Sequence, residues 1–237
     1  CKQLKGENFV NDGKQLVYHE EENGKRIQWH TLSVPRGGEY KLVLADGTRV
    51  WLNAASELMY PDHFSADQRK VVLKGEAYFE VTKDVKRPFS VVLGDMEVKV
   101  LGTSFNVSAY PGVKRQTTLI EGQVAVNWHR QQVVIRPGQQ AAETDEGLRV
   151  ASVNVMNYVG WKEHRFVYEN KLLGEVLEDL ERWYDVEVFV MHDEIRNLHL
   201  TANLPRYENM DKVLEIIEYA ACVKFEVKGR TVVVRRD

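Results

Sequence analysis

Val71–Tyr110 reads VVLKGEAYFEVTKDVKRPFSVVLGDMEVKVLGTSFNVSAY, and the architecture of the chain is decided there. Apolar residues alternate with polar ones: Ala77, Phe79 and Val81, then Met96, Val98 and Val100. A period of two sends successive side chains to opposite faces of an extended backbone, so the stretch predicts half-buried strands and not helices. Glycine recurs in similar settings, in KGEAYFEV (Lys74–Val81), LGTSFNV (Leu101–Val107), EGQVAV (Glu121–Val126) and RPGQQA (Arg136–Ala141). The spacing of Gly75, Gly102, Gly122 and Gly138 is uneven, which excludes a solenoid of fixed period. The pattern predicts stacked strands that reuse one corner, with glycine where the backbone needs positive φ or close approach.

Working outward, Tyr40–Leu44 and Arg49–Leu52 flank Ala-Asp-Gly-Thr, and Asp-Gly between alternating apolar residues is a strong hairpin signal. Further strands are predicted at Val71–Leu73, Ala77–Val81, Phe89–Val92, Glu97–Leu101, Ser104–Ser108, Thr117–Glu121, Gln123–Asn127, Gln132–Ile135 and Gln139–Glu143. Asn53–Ser56 reads as a polar corner, closed by Tyr60-Pro61. Pro35–Gly38 is a glycine-rich turn with no lysine-bearing helix after it, so it fails as a phosphate loop. Between Pro35 and Val150 nothing follows a 3.6-residue period, and the expected domain over 31–153 is all-β, stacked-strand and β-roll-like. Residues 1–30 are polar and read as a leader or a loose hairpin (QLVYHE with RIQWH), with an exposed turn at Glu20–Lys25.

The pattern changes near Asn154. A connector carrying Tyr158 and Trp161 precedes Leu172, Leu173, Val176, Leu177, Leu180, Trp183 and Tyr184, the apolar face of a helix that Asn170 would cap. A β run at Asp185–Met191 and an alternating strand at Asn197–Leu204 follow. A second helix, capped by Asn209, turns Met210, Val213, Leu214, Ile217 and Ala220 or Ala221 to the core. Val223–Val227 and Thr231–Arg235 form a closing hairpin at Lys228-Gly229. The order β-α-β-β-α-β-β predicts a small α+β domain over 154–237, two helices on one face of one sheet.

The 237 residues are 43% hydrophobic and 28% charged, enough apolar material for real cores. A net charge of −3 gives no footprint for nucleic acid or a membrane surface. No apolar run reaches the roughly 18–20 residues that span a bilayer. The two cysteines form no CxxC: Cys222 is expected to be a buried, inert thiol. Cys1 reads as an ordinary boundary of the sequence rather than a lipidated first residue, because mid-protein sequence follows it. No nucleotide, zinc-protease, calcium or esterase motif is present, and the seven histidines are scattered. His192-Asp193 reads as loop, and His199 shares a solvent face with Asn197 and Thr201. Glu76 and Glu80 flank apolar strand positions as solvated faces would. No cofactor, metal ligand or small-molecule substrate is expected, and no enzyme activity beyond one cis reaction. At Gly102-Thr103 a hydroxyl adjoins a flexible carbonyl in a strand corner, so Thr103 Oγ can attack the Gly102 carbonyl if the fold strains that peptide. The plain alternative is an ordinary Gly-Thr turn.

The segments VPRGGEYKLVLADGTRVWLNAASELMYP, VVLKGEAYFEVTKDVKRPFSV, VLGTSFNVSAYPG, TTLIEGQVAV and RPGQQA resemble, in order and spacing, the extracytoplasmic domain of FecR-type anti-sigma regulators. From GWKEHRFVYENKLLGEVLEDLERWYDVEV to KFEVKGRTVVVRR the chain resembles the C-terminal domain of such proteins, itself similar to the short N-terminal signalling domain of secretins and TonB-dependent transporters. The resemblance implies a periplasmic sensor half of a transmembrane regulator. It would contact the periplasmic signalling domain of a TonB-dependent transporter, be anchored to the inner membrane by a helix outside this chain, and bind a sigma factor through a cytoplasmic segment also outside it. It also implies self-cleavage at Gly102-Thr103, since several family members split at a matching Gly-Thr. Leu198, Leu200 and Leu204 would either line the partner site or be a packed sheet face. The rival reading is a carbohydrate-binding or scaffold module using exposed Trp51, Trp128, Trp161 or Trp183, although Trp51 and Trp183 pattern as core.

Overall fold

The computed structural model describes residues 4–5, 9–11, 15–18, 26–206 and 209–237. It divides into two compact units, Cys1–Pro35 with Glu39–Val155, and Arg36–Gly38 with Met156–Asp237.

The first unit is all-β and is built on one strand, Arg69–Glu80. Its first half pairs with Ser56–Pro61 and Phe89–Leu93, and its second half with Arg49–Leu52 and Ser104–Ala109. One strand therefore belongs to two branches of a sheet that curls towards a barrel. One branch runs in space through Leu4–Lys5, Phe9–Asn11, Gln15–Tyr18, Tyr40–Val43, Arg49–Leu52, Arg69–Glu80, Ser104–Ala109, Gln116–Glu121, Gln139–Thr144 and Gly147–Ser152. The other runs through Trp29–Val34, Ser56–Pro61, Arg69–Glu80, Phe89–Leu93, Met96–Val100, Val124–Trp128 and Gln131–Ile135. The alternation has its expected consequence, since Val71, Leu73, Ala77 and Phe79 are buried in one core with Phe89, Val98, Val100, Phe105 and Leu119. Phe79 stacks on Phe105 with ring centroids 5.2 Å apart.

The two strands expected at Val71–Leu73 and Ala77–Val81 are one bent strand, and Gly75 makes the bend. It has φ +91°, and a Cβ there would lie 2.7 Å from Ser56 Cα, so no side chain fits. The Asp-Gly hairpin forms in register Tyr40↔Leu52, with Asp46 Oδ1 accepting from Thr48 N. The strands at Trp29–Val34, Ser56–Pro61 and Gly147–Ser152 were not expected, although Ser56, Leu58 and Tyr60 alternate and are all buried. Within residues 1–30, Gln15–Tyr18 does not pair with the RIQWH stretch: it lies antiparallel to Phe9–Asn11 and parallel to Tyr40–Val43, while Trp29–Val34 pairs with Ser56–Pro61. The turn expected at Glu20–Lys25 lies outside the described residues.

The second unit keeps the expected β-α-β-β-α-β-β order after a short helix, Met156–Val159, and a 3-10 turn, Gly160–Glu163, in which Trp161 is buried. Its strands form two sheets and not one. Arg165–Leu172 pairs with His199–Pro205, and Glu187–Val190, Thr231–Arg236 and Val223–Lys228 form a three-stranded sheet with a parallel pair. Both sheets share one core with helices Leu173–Tyr184 and Met210–Ala221, through Val176, Leu177, Leu180, Val213, Leu214 and Ile217. Asn209 caps the second helix as expected, its Oδ1 accepting from Asp211 N at 2.8 Å. Asn170 does not cap the first. It lies in the strand with φ +51°, and the helix begins at Leu173, whose N–H donates to Leu198 O instead.

The two helix-to-strand passages repeat one device. Asp185 and Cys222 end their helices in the left-handed conformation, donating to Glu181 O and Glu218 O. The side chains of the same two glutamates accept from edge-strand amides three residues past each left-handed residue, Val188 N and Phe225 N, each at 2.7 Å. Orphan backbone groups at a helix end and a strand edge are thus satisfied by a single residue. This places Cys222 on the surface, against the expectation of a buried thiol. A non-glycine residue is strained in this conformation. Cys222→Gly is accordingly expected to stabilise the protein by about 0.5–1 kcal/mol, read as a higher urea midpoint, and Cys222 should react rapidly with a thiol reagent in the native state.

Candidate functional site

Gly102-Thr103 lies between the strands Met96–Val100 and Ser104–Ala109. The main chain on either side is pinned to the stretch after the long strand: Asp84 N donates to Leu101 O at 2.8 Å and Val81 N to Thr103 O at 3.0 Å. Gly102 has φ +156°, and a Cβ there would fall 2.6 Å from Lys83 Cα, so the two backbones touch where only glycine permits it. Thr103 is buried, and its hydroxyl donates to Gln123 O at 3.1 Å. The corner at Gly122 closes the site. A Cβ on Gly122 would lie 2.9 Å from Thr103 Oγ1 and 3.1 Å from Gly102 O. The expected nucleophile and carbonyl are therefore packed in a pinned corner, Thr103 buried while Gly122 and Gln123 beside it are exposed. Among the described residues the Thr103 hydroxyl bonds a backbone carbonyl and no side-chain base.

A cluster of charged groups lies elsewhere in the first unit, around Arg115. Arg115 donates to Asp95 Oδ1 at 2.5 Å, Glu143 Oε2 at 2.6 Å and Leu93 O at 2.6 Å. Trp128 Nε1 also donates to Asp95, at 3.0 Å, and the guanidinium lies over the Trp128 ring. The Arg115 hydrogen bond, helped by that of Trp128, holds Asp95 down to about 2, and Arg115 likewise lowers Glu143. A depressed carboxylate pKa stabilises the fold above its unfolded value near 4, and the contribution is lost as pH falls through the folded value. The urea midpoint should therefore hold from pH 7 to 5 and decline between about pH 4.5 and 2. Asp95→Asn should flatten that decline, with an effect at pH 7 of at most about 1 kcal/mol for so exposed a pair.

In the second unit, Leu200 and Leu204 are core and Leu198, half-buried, packs against it. His192 and His199 are exposed, the first in extended backbone just before the 3-10 turn Asp193–Asn197 and the second on a strand face. Trp161 is buried and Trp183 half-buried under Arg206. Trp51 is not core: Val50 and Leu52 point inward, while its ring lies on the outer face between Lys41, 4.8 Å from the centroid, and Tyr78. Trp128 is held by Asp95 and Arg115. Sequence reasoning missed Phe189 and Met191, 55% and 60% exposed at alternate positions on Glu187–Val190 and its continuation. The equivalent positions in the repeated device carry Glu226 and Lys228, so the frame does not require apolar residues there. Among the described residues no group of His, Cys, Asp and Glu is placed to hold a metal, and no helix is long and apolar enough to cross a membrane.

The FecR protein family model matches residues 30–125, and the FecR C-terminal model matches residues 165–234. Two crystal structures described as a candidate anti-sigma factor from Parabacteroides distasonis ATCC 8503 are similar, each at 26% identity and a TM-score of 0.82. The alignments cover 88% of this chain and 99% of that one, and 89% and 100% for the second structure. No curated protein matches the chain. With both family models matched in order, on a fold shared over most of its length, the chain belongs to the FecR family of anti-sigma factors.

Proposed function

We propose that this chain is the periplasmic receptor half of a transmembrane anti-sigma regulator. It takes a signal from the periplasmic signalling domain of a TonB-dependent transporter and passes it, through an inner-membrane helix and a cytoplasmic segment outside this chain, to an extracytoplasmic-function sigma factor. The observation that carries the reading is the order of the two units, an all-β unit matched by the FecR model followed by a β-α-β-β-α-β-β unit matched by its C-terminal model. The contact is assigned to the second unit, whose outer sheet face presents Phe189 and Met191. Strand addition at the edges of the three-stranded sheet is disfavoured, because Glu181 and Glu218 each already occupy one of its edge amides. The test is a pull-down of the full chain by the purified signalling domain of the transporter encoded nearest its gene. Capture, weakened at least tenfold by Phe189→Glu with Met191→Lys, supports the reading. No capture by any neighbouring transporter domain defeats it, and binding on a glycan array would favour the carbohydrate module.

A second reading concerns the same chain. The pinned Gly102-Thr103 peptide supports cleavage in cis. Thr103 Oγ adds to the Gly102 carbonyl carbon, the C–N bond breaks, and the hydroxyl proton ends on the Thr103 nitrogen, giving an ester. Water then hydrolyses the ester to a Gly102 carboxylate and a free Thr103. The products, ending at Gly102 and starting at Thr103, would stay paired through the Arg69–Glu80 and Ser104–Ala109 strands. Intact mass should show both fragments in the native protein and one uncut chain in Thr103→Ala.

A further inference from the structure

We infer that Gly122 is a positioning residue for the Thr103 hydroxyl, an inference that rests on the cis-cleavage reading. Gly122 touches both partners of the reaction, the Thr103 Oγ1 that attacks and the carbonyl it attacks, since a Cβ there would lie 2.9 Å from Oγ1 and 3.1 Å from Gly102 O. The next residue supplies the acceptor that orients the hydroxyl, Gln123 O at 3.1 Å. One corner thus provides both the space and the anchor for the nucleophile. The Thr103 main chain cannot step aside, because Thr103 O is held by Val81 N and Gly102 is backed by Lys83. A methyl group at 122 must therefore displace Oγ1 from its place beside Gln123 O. Misplacement of a nucleophile by about 1 Å is enough to cost on the order of a hundredfold in rate.

The experiment follows fragment formation in the full chain by intact mass, with and without hydroxylamine, which traps the ester. Gly122→Ala changes a residue at φ +94°, so strain alone can lower stability. Gly138→Ala is the matched control, with φ +81° and nothing within 4 Å of its new Cβ. The expected result is cleavage and ester trapping at least tenfold slower in Gly122→Ala and near wild type in Gly138→Ala, with both variants folded by circular dichroism. Thr103→Ser, whose hydroxyl rotates more freely, should restore part of the rate in the Gly122→Ala background. Cleavage of Gly122→Ala within twofold of wild type, or equal loss in both alanine variants, overturns the positioning role and leaves the cleavage reading standing. A wild-type chain that stays single overturns both.

Discussion

Asp46→Asn and Arg69→Met should each destabilise the first unit by about 3–5 kcal/mol, the cost of leaving a buried ion without its partner. Arg69 is the largest fully buried side chain of the fold, and its Nη1 meets Asp46 Oδ2 at 2.7 Å with both groups almost wholly out of water. The guanidinium also donates to Arg87 O and Thr82 O, each at 2.8 Å, so three segments converge on it. Asp46 in turn caps its own hairpin through Thr48. Asparagine keeps an acceptor for Thr48 N but removes the charge and the oxygen that accepts from Thr48 Oγ1 and Arg69. Methionine removes the charge, leaves Asp46 buried and orphans the two carbonyls. The double variant should lose clearly less than the sum of the singles, because no lone ion remains. Thermal unfolding provides the check: each single change should lower the midpoint by on the order of 10 °C. Losses below about 1 kcal/mol in both singles would show that water reaches the pair.

Gly75→Ala should be of similar severity, about 3 kcal/mol or more, by a different route. Left-handed backbone costs an alanine about 1–2 kcal/mol, and overpacking adds about 1–3 kcal/mol. The overpacking is hard to relieve here. The new methyl would meet Ser56 Oγ at 2.4 Å and Ser56 Cα at 2.7 Å, and Ser56 is fixed by pairing with Val34 and by accepting from Glu76 N. Ser56→Gly removes the side-chain clash but not the backbone one, so it should rescue less than half of the loss. Gly138→Ala, with strain and no clash, calibrates the conformational share in the same denaturant series.

Much of this was legible beforehand. Period-two alternation at Ala77, Phe79, Met96, Val98 and Val100 needs no partner to be read, because burial of one face is what makes it pay in any sheet. The same holds for the Asp-Gly hairpin, for the apolar faces of Leu173–Tyr184 and Met210–Ala221, and for the Asn209 cap, all governed by residues within a few positions of one another. The family resemblance was legible for the same reason, as ordered local motifs.

What failed were statements about distance. Asn170 has the chemistry of a cap, but strand pairing to His199–Pro205 extends past it, and Leu198 O meets the first helical amide. Cys222 lies in an apolar run, yet the chain turns left-handed there and presents it to solvent. Trp51 alternates with core residues and so faces away from them. By itself, then, the sequence determined the strand and helix inventory, their order and the glycine corners, since these depend on neighbours along the chain. Only the tertiary structure decided that one strand serves two branches of a sheet, that the second unit has two sheets, and that Gly122 and Gln123 O enclose the Thr103 hydroxyl. Those depend on which backbones come within a few ångströms of each other, and that is set by the packing of whole faces.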